Sequence, residues 1–160
     1  MQNLEGGYYF KKRPTPSFSE QSREEKMSRK NAREEVFKLV FESQIKNESF
    51  DEILNNYLSR EDKTKKVDEV EFITKYLSEI ENNKDKILNK INENMVGWSF
   101  DRIGYVERAI FIYSIYELMV QEIPQEIVIN EAIELSKKYG DDKTPDFVNG
   151  VLAKIVNKKD

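Results

Sequence analysis

The sequence predicts an all-α protein of about seven helices. Three observations carry that reading. Apolar residues recur every three or four positions from Val36 to Ile155, no stretch alternates with a period of two, and capping residues stand where the periodic runs begin. Residues 1–26 come first, with Gly6-Gly7, Pro14, Pro16 and scattered serines, and read as a disordered N-terminal extension ahead of a helical domain at 27–160. Within them Tyr8, Tyr9 and Phe10 adjoin Lys11, Lys12 and Arg13, the mixture that single-strand binders use; a leader without function fits the same residues.

The helical pattern begins at Ser28. Val36, Phe37, Val40, Phe41 and Ile45 form one apolar face. A helix starting at Ser28 places Arg29, Lys30 and Arg33 in its first turns, beside backbone N–H groups left free there. The macrodipole disfavours cations at that end, so the placement is poor for stability but suited to holding a phosphate. Ser49 to Glu52 reads as a capping box opening a second helix, with Ile53, Leu54, Tyr57 and Leu58 inward. A polar loop from Ser59 leads to a third helix with Val70, Ile73, Leu77 and Ile80, which Asn82 and Asn83 break while capping a fourth.

Ile87, Leu88, Ile91 and Met95 mark that fourth helix, and a connector with the sole tryptophan, Trp98, follows. From Tyr105 to Val120 apolar residues surround most of the helix, which predicts the most buried element of the fold. Pro124 suits the first turn of a sixth helix, with Ile127, Val128, Ala132 and Leu135 inward and Gly140 as its stop. Thr144, Pro145 and Asp146 open a seventh helix as N-cap, proline and acid, and its stripe is Phe147, Val148, Val151, Leu152 and Ile155.

Composition narrows the function. With no cysteine and no histidine, disulfides, thiolate nucleophiles, Cys/His zinc sites and imidazole-based triads are excluded. Six glycines without a GxxxxGK[ST] or GxGxxG pattern exclude the common phosphate-cradling loops. No catalytic motif stands out, so an enzyme is not expected, and nothing calls for a cofactor or a metal; the adjacent acids Asp141 and Asp142 read as solvated. No apolar run approaches the roughly 18 residues of a membrane span, and no signal peptide is visible, so the expected compartment is the cytoplasm. The net charge of −4 is uneven: residues 1–33 hold eight Lys/Arg against four Asp/Glu. A basic arm on an acidic body is a pattern of nucleic-acid contact.

Three stretches carry a resemblance: "RKNAREEVFKLVF" (29–41), "VERAIFIYSIYEL" (106–118) and "IPQEIVINEAIELSKKYG…TPDFVNGVLAKI" (123–155). With Trp98 and Arg102, their order and spacing resemble the bacterial transcription antitermination factor family NusB over essentially all of residues 27–160. The resemblance implies a compact all-α fold of two helical subdomains. It also implies binding of boxA RNA in nascent transcripts, ribosomal RNA leaders above all. The family does so together with NusE, a small-subunit ribosomal protein, in a complex that helps RNA polymerase resist termination.

In the family an arginine-rich N-terminal segment contributes to RNA binding; the matching positions are Arg29, Lys30 and Arg33, with Asn31 at a commonly basic position. Arg33 also fits an ion pair with Glu34, Glu35 or a later carboxylate. Phe41 matches a position where some members have Tyr, and it fits base stacking or the core. Phe147 falls at a family position near the RNA surface and fits a stacking platform or the apolar stripe. Where members often carry Arg, this chain has Ile112, which replaces a polar contact by apolar packing or an apolar patch. Asn130 and Glu131 are expected to form a buried polar pair, and Gly150, inside a helix, to admit the close approach of another backbone. The alternative reading is a helical protein–protein interaction module without RNA binding of its own. The oligomeric state stays open, a homodimer through apolar faces included.

Overall fold

A computed structural model describes residues 18–60 and 66–157, with side chains from residue 29 onward. Tyr8 to Arg13 and the glycines and prolines of the extension lie outside the described residues. Among the described residues there are seven α-helices: α1 Phe18–Lys46, α2 Phe50–Ser59, α3 Val67–Asn82, α4 Lys84–Glu93, α5 Tyr105–Met119, α6 Gln125–Tyr139 and α7 Thr144–Asn157. A single 3-10 turn at Phe100–Arg102 precedes α5, and no strand occurs among the described residues.

The first helix differs from expectation at its start. It begins at Phe18, ahead of Ser28 and inside the stretch read as disordered. No Gly or Pro follows Pro16 there, and Glu, Gln, Arg and Lys in "SEQSREEK" are good helix formers. Arg29, Lys30 and Arg33 therefore lie in mid-helix, where N–H groups bond to carbonyls four residues back. The free-donor half of the phosphate argument falls, and only the side-chain charge remains. Contacts divide the chain within α1, into residues 1–31 and residues 32–160. Arg29 and Lys30 belong to the first unit and Arg33 to the second.

Within residues 32–160 several helix ends have a local cause. At the end of α1, Asn47 takes a left-handed φ of 54°, and the Glu48 N–H donates to the Ser43 carbonyl at 3.1 Å. The Ser49–Glu52 capping box forms, and Glu81 Oε1 also accepts from the Phe50 N–H at 2.8 Å. Asn83 is both the C-cap of α3 and the N-cap of α4, as expected, but its side-chain amide donates to the Glu79 carbonyl at 2.7 Å and makes no side-chain cap on α4. Pro124 is the N-cap of α6, one place ahead of the first turn. Thr144, expected as the N-cap of α7, is its first residue instead, and Asp141 Oδ1 accepts from the N–H groups of Lys143 and Thr144 at 2.9 and 3.1 Å. These bonds, led by the one from Lys143, lower its pKa.

Gly140 stops α6 without a left-handed turn. A Cβ there would stand 2.6 Å from the Thr144 side chain, so the close approach of α7 requires glycine.

α2 packs on α3, α5, α6 and α7 pack on one another, and α4 lies against α5. Every residue of α5 from Ala109 to Glu117 is buried, as its continuous apolar pattern predicts. Burying a Leu- or Ile-sized side chain stabilises by about 1.5–3 kcal/mol, so this helix organises the core. Ile45, Leu58 and Ile127, expected inward, are exposed, and Leu39 is buried in their stead on α1. Leu39 sits three residues from Val36, on the stripe, whereas Ile45 has rotated about 140° beyond Val40. Asn130 is exposed and Glu131 half-buried, so they are not a buried pair; Val128 and Ala132 hold the inner face instead.

Candidate nucleic-acid interface

Arg29 and Lys30 are both exposed on α1. Arg33 is placed otherwise. Its side chain is 25% exposed, and its Nε lies 3.4 Å from Oε2 of Glu117, whose side chain is 2% exposed. Tyr76 donates its hydroxyl proton to the same Oε2 at 2.7 Å. Burial raises the pKa of the Glu117 carboxyl, partly offset by the Tyr76 hydrogen bond and by Arg33. For Arg33, burial acts to lower the pKa, but the charge of Glu117 and the flanking tyrosines outweighs it and holds the guanidinium protonated. The cation is thus committed to a carboxylate on the most buried helix, the later carboxylate that its sequence setting allowed.

Phe41 is half-buried, its ring stacked on Phe37 at 6.3 Å with the planes 26° apart, and Phe37 meets Tyr139 at 5.0 Å. This is core packing with one free edge. Phe147 is half-buried between two aromatics, with ring centroids 5.8 Å from both Phe111 and Trp98. Trp98 is 61% exposed, the feature that sequence reasoning passed over. Its connector is tied down by Arg108, which donates to the carbonyls of Asp101 and Ile103 and lies 4.9 Å over the Tyr105 ring. Beside Trp98 the expected close approach at Gly150 is not found: nothing lies within 4 Å of where its Cβ would stand. The helix surface there is open, and a groove of about 290 Å³ runs past it.

A family model described as the NusB family matches residues 30–157. The chain belongs to the NusB family. A transcription antitermination protein NusB from Clostridium novyi is 40% identical over 131 residues, 81% of this chain and 98% of that protein. Its counterpart from Fusobacterium nucleatum is 38% identical over 149 residues, 89% of this chain and 97% of that protein. Among solved structures, T. maritima NusB superposes with a TM-score of 0.72 at 32% identity, covering 81% of this chain and 91% of that one. A structure of the antitermination factors NusB and NusE in complex with double-stranded RNA matches with a TM-score of 0.66 at 28% identity, covering 81% and 96%.

Against that NusB frame, Ile112 is buried and lines a cavity of about 220 Å³ with Phe50, Ile80 and Ile87. The replacement is apolar packing and not a surface patch. Glu48 lines the same cavity, and its buried Oε1 accepts no hydrogen bond from a described residue. Among the described residues no cluster of acidic residues is arranged to hold a metal ion, and no helix is long and apolar enough to cross a membrane.

Proposed function

We propose that this chain is a transcription antitermination factor that binds boxA RNA in nascent ribosomal RNA transcripts together with NusE, so that RNA polymerase resists termination. Membership of the NusB family carries the reading, and the two exposed cations Arg29 and Lys30 supply its chemistry. They contribute phosphate contacts by releasing counterions from the RNA. Phe147 contributes an aromatic edge for an unpaired base. Arg33 and Phe41 serve the RNA indirectly, by fixing the part of α1 that packs on the core. The activity is binding in the cytoplasm, where the transcript is made, and needs no catalytic group.

The test is a titration of a single-stranded boxA oligonucleotide, alone and with NusE, across a salt series. Each phosphate contact adds about −0.7 to the slope of log K against log salt for single strands. Arg29→Ala combined with Lys30→Ala is expected to weaken binding and flatten the slope by about 1.4. Equal affinity and slope would remove these residues from the interface. Loss of all RNA binding by the parent, with NusE still bound, would favour the protein–protein interaction module.

A further inference from the structure

The cavity bordered by Ile112 has a polar end that no described residue completes. One short segment builds it, Ser43 to Glu48, where α1 gives way to α2. Ser43 holds Glu48 by both groups of its main chain. The Ser43 carbonyl accepts from the Glu48 N–H at 3.1 Å, and the Ser43 hydroxyl donates to the Glu48 carbonyl at 2.5 Å. Asn47 makes the turn between them at its left-handed φ of 54°. With the main chain fixed in this way, the Glu48 side chain lines the cavity and buries Oε1 without a hydrogen-bond partner among the described residues. Ser43 is buried and also lines the cavity; a hydroxyl has one proton to give, so its oxygen has only lone pairs left to offer. The remaining walls are largely apolar, with Phe50, Ile80, Ile87 and Ile112 all buried.

We infer that this cavity is a binding site for a small primary amine, its ammonium group on Glu48 and its apolar body among Phe50, Ile80, Ile87 and Ile112. A buried acceptor left unpaired is costly, and a charged donor is the group that relieves it best. Size sets the rest of the ligand. A cavity of roughly 150 Å³ lined by aliphatic and aromatic side chains takes up benzene. The volume here, about 220 Å³, adds room for a short chain that carries the ammonium. An acid fits less well. Arg108 borders the cavity, but its guanidinium already donates to the carbonyls of Asp101 and Ile103, and Glu48 repels an anion. Lys84 lines it too, but Lys84 is exposed, where an ion pair contributes little.

The test titrates 2-phenylethylamine into the full chain by calorimetry at neutral pH, beside its neutral counterpart 2-phenylethanol and the acid 3-phenylpropanoate. The amine is expected to bind with a Kd in the micromolar to millimolar range, as ligands of this size do, and about tenfold more tightly than the alcohol. Glu48→Gln keeps the shape of the cavity and removes its charge. It should bring the amine down to the affinity of the alcohol, whose own binding stays the same. Ile112→Arg supplies a guanidinium from the chain itself and should abolish amine binding, with circular dichroism unchanged. Equal affinity of amine and alcohol for the parent overturns the assignment, and so does a Glu48→Gln protein that binds the amine like the parent. Preference for the acid would move the site to Lys84 and overturns it as well. A parent that binds none of the three leaves the cavity to water, and the inference fails.

Discussion

Replacing Arg33 by alanine separates anchoring from RNA contact. The change leaves the Glu117 carboxylate, 2% exposed, without its cation. Breaking a buried ion pair from one side costs about 3–5 kcal/mol. Arg33 keeps a quarter of its side chain in water, and Tyr76 goes on donating to Glu117, so the cost falls at the lower end, about 3 kcal/mol. For a chain of this size that lowers the melting temperature by roughly 10 °C. Arg29→Ala, at an exposed helix position, should stay within about 0.5 kcal/mol of the parent. The assay pairs thermal melts by circular dichroism with RNA titrations over a salt series. Arg33→Ala should melt early with the parent's salt slope, and Arg29→Ala should melt normally with a flatter one. Arg33→Met with Glu117→Leu, which removes both charges, should recover most of the lost stability. An Arg33→Ala protein that melts like the parent while its salt slope flattens by about 0.7 would refute the anchoring argument.

Further substitutions test other parts of the fold. Gly140→Ala forces a Cβ to 2.6 Å from Thr144 and should cost about 1–3 kcal/mol, whereas Gly150→Ala meets nothing and should stabilise by up to about 1 kcal/mol. Urea midpoints that fail to separate the two would count against the packing at α6–α7. Because burial raises the pKa of Glu117 in the folded state, its titration favours folding most at low pH, below the ordinary carboxylate pKa. The stability margin of the parent over Glu117→Gln should therefore shrink as pH rises from below the ordinary carboxylate pKa through the raised value; a margin that grows with pH contradicts it. Ile112→Arg carries a guanidinium into the cavity that holds the unsatisfied Glu48 oxygen. It should change stability by less than about 1 kcal/mol, where an unpaired buried charge would cost several; a loss above 3 kcal/mol excludes the pairing.

Much of the fold is legible in the residues. The capping box at Ser49, the apolar surround of α5 and the stripe of α7 all follow from spacing, because helix periodicity and capping are local. Family motifs made the membership legible as well. The site is less so, since it depends on partners distant in sequence. Arg33 looks like any basic residue until Glu117, on α5, is brought beside it. The start of α1 at Phe18 is hidden in the sequence, because serine and proline near residue 16 mask the helix-forming run after them. Gly150 suggested a close neighbour on propensity alone, but only the tertiary arrangement shows an open floor. Trp98, in a connector without periodicity, gave no signal of how much of its ring would face water.

The burial of α5 also governs how the protein comes apart. α5 touches α3, α4, α6 and α7, so none of these helices can detach without wetting an apolar surface that surrounds it. Amide protons of Ala109 to Tyr116 should then exchange only when the whole body opens, at a common free energy equal to that of global unfolding. Faster, locally governed exchange is left to the connector of Trp98 and the ends of α2 and α6, which can fray while the molecule stays folded.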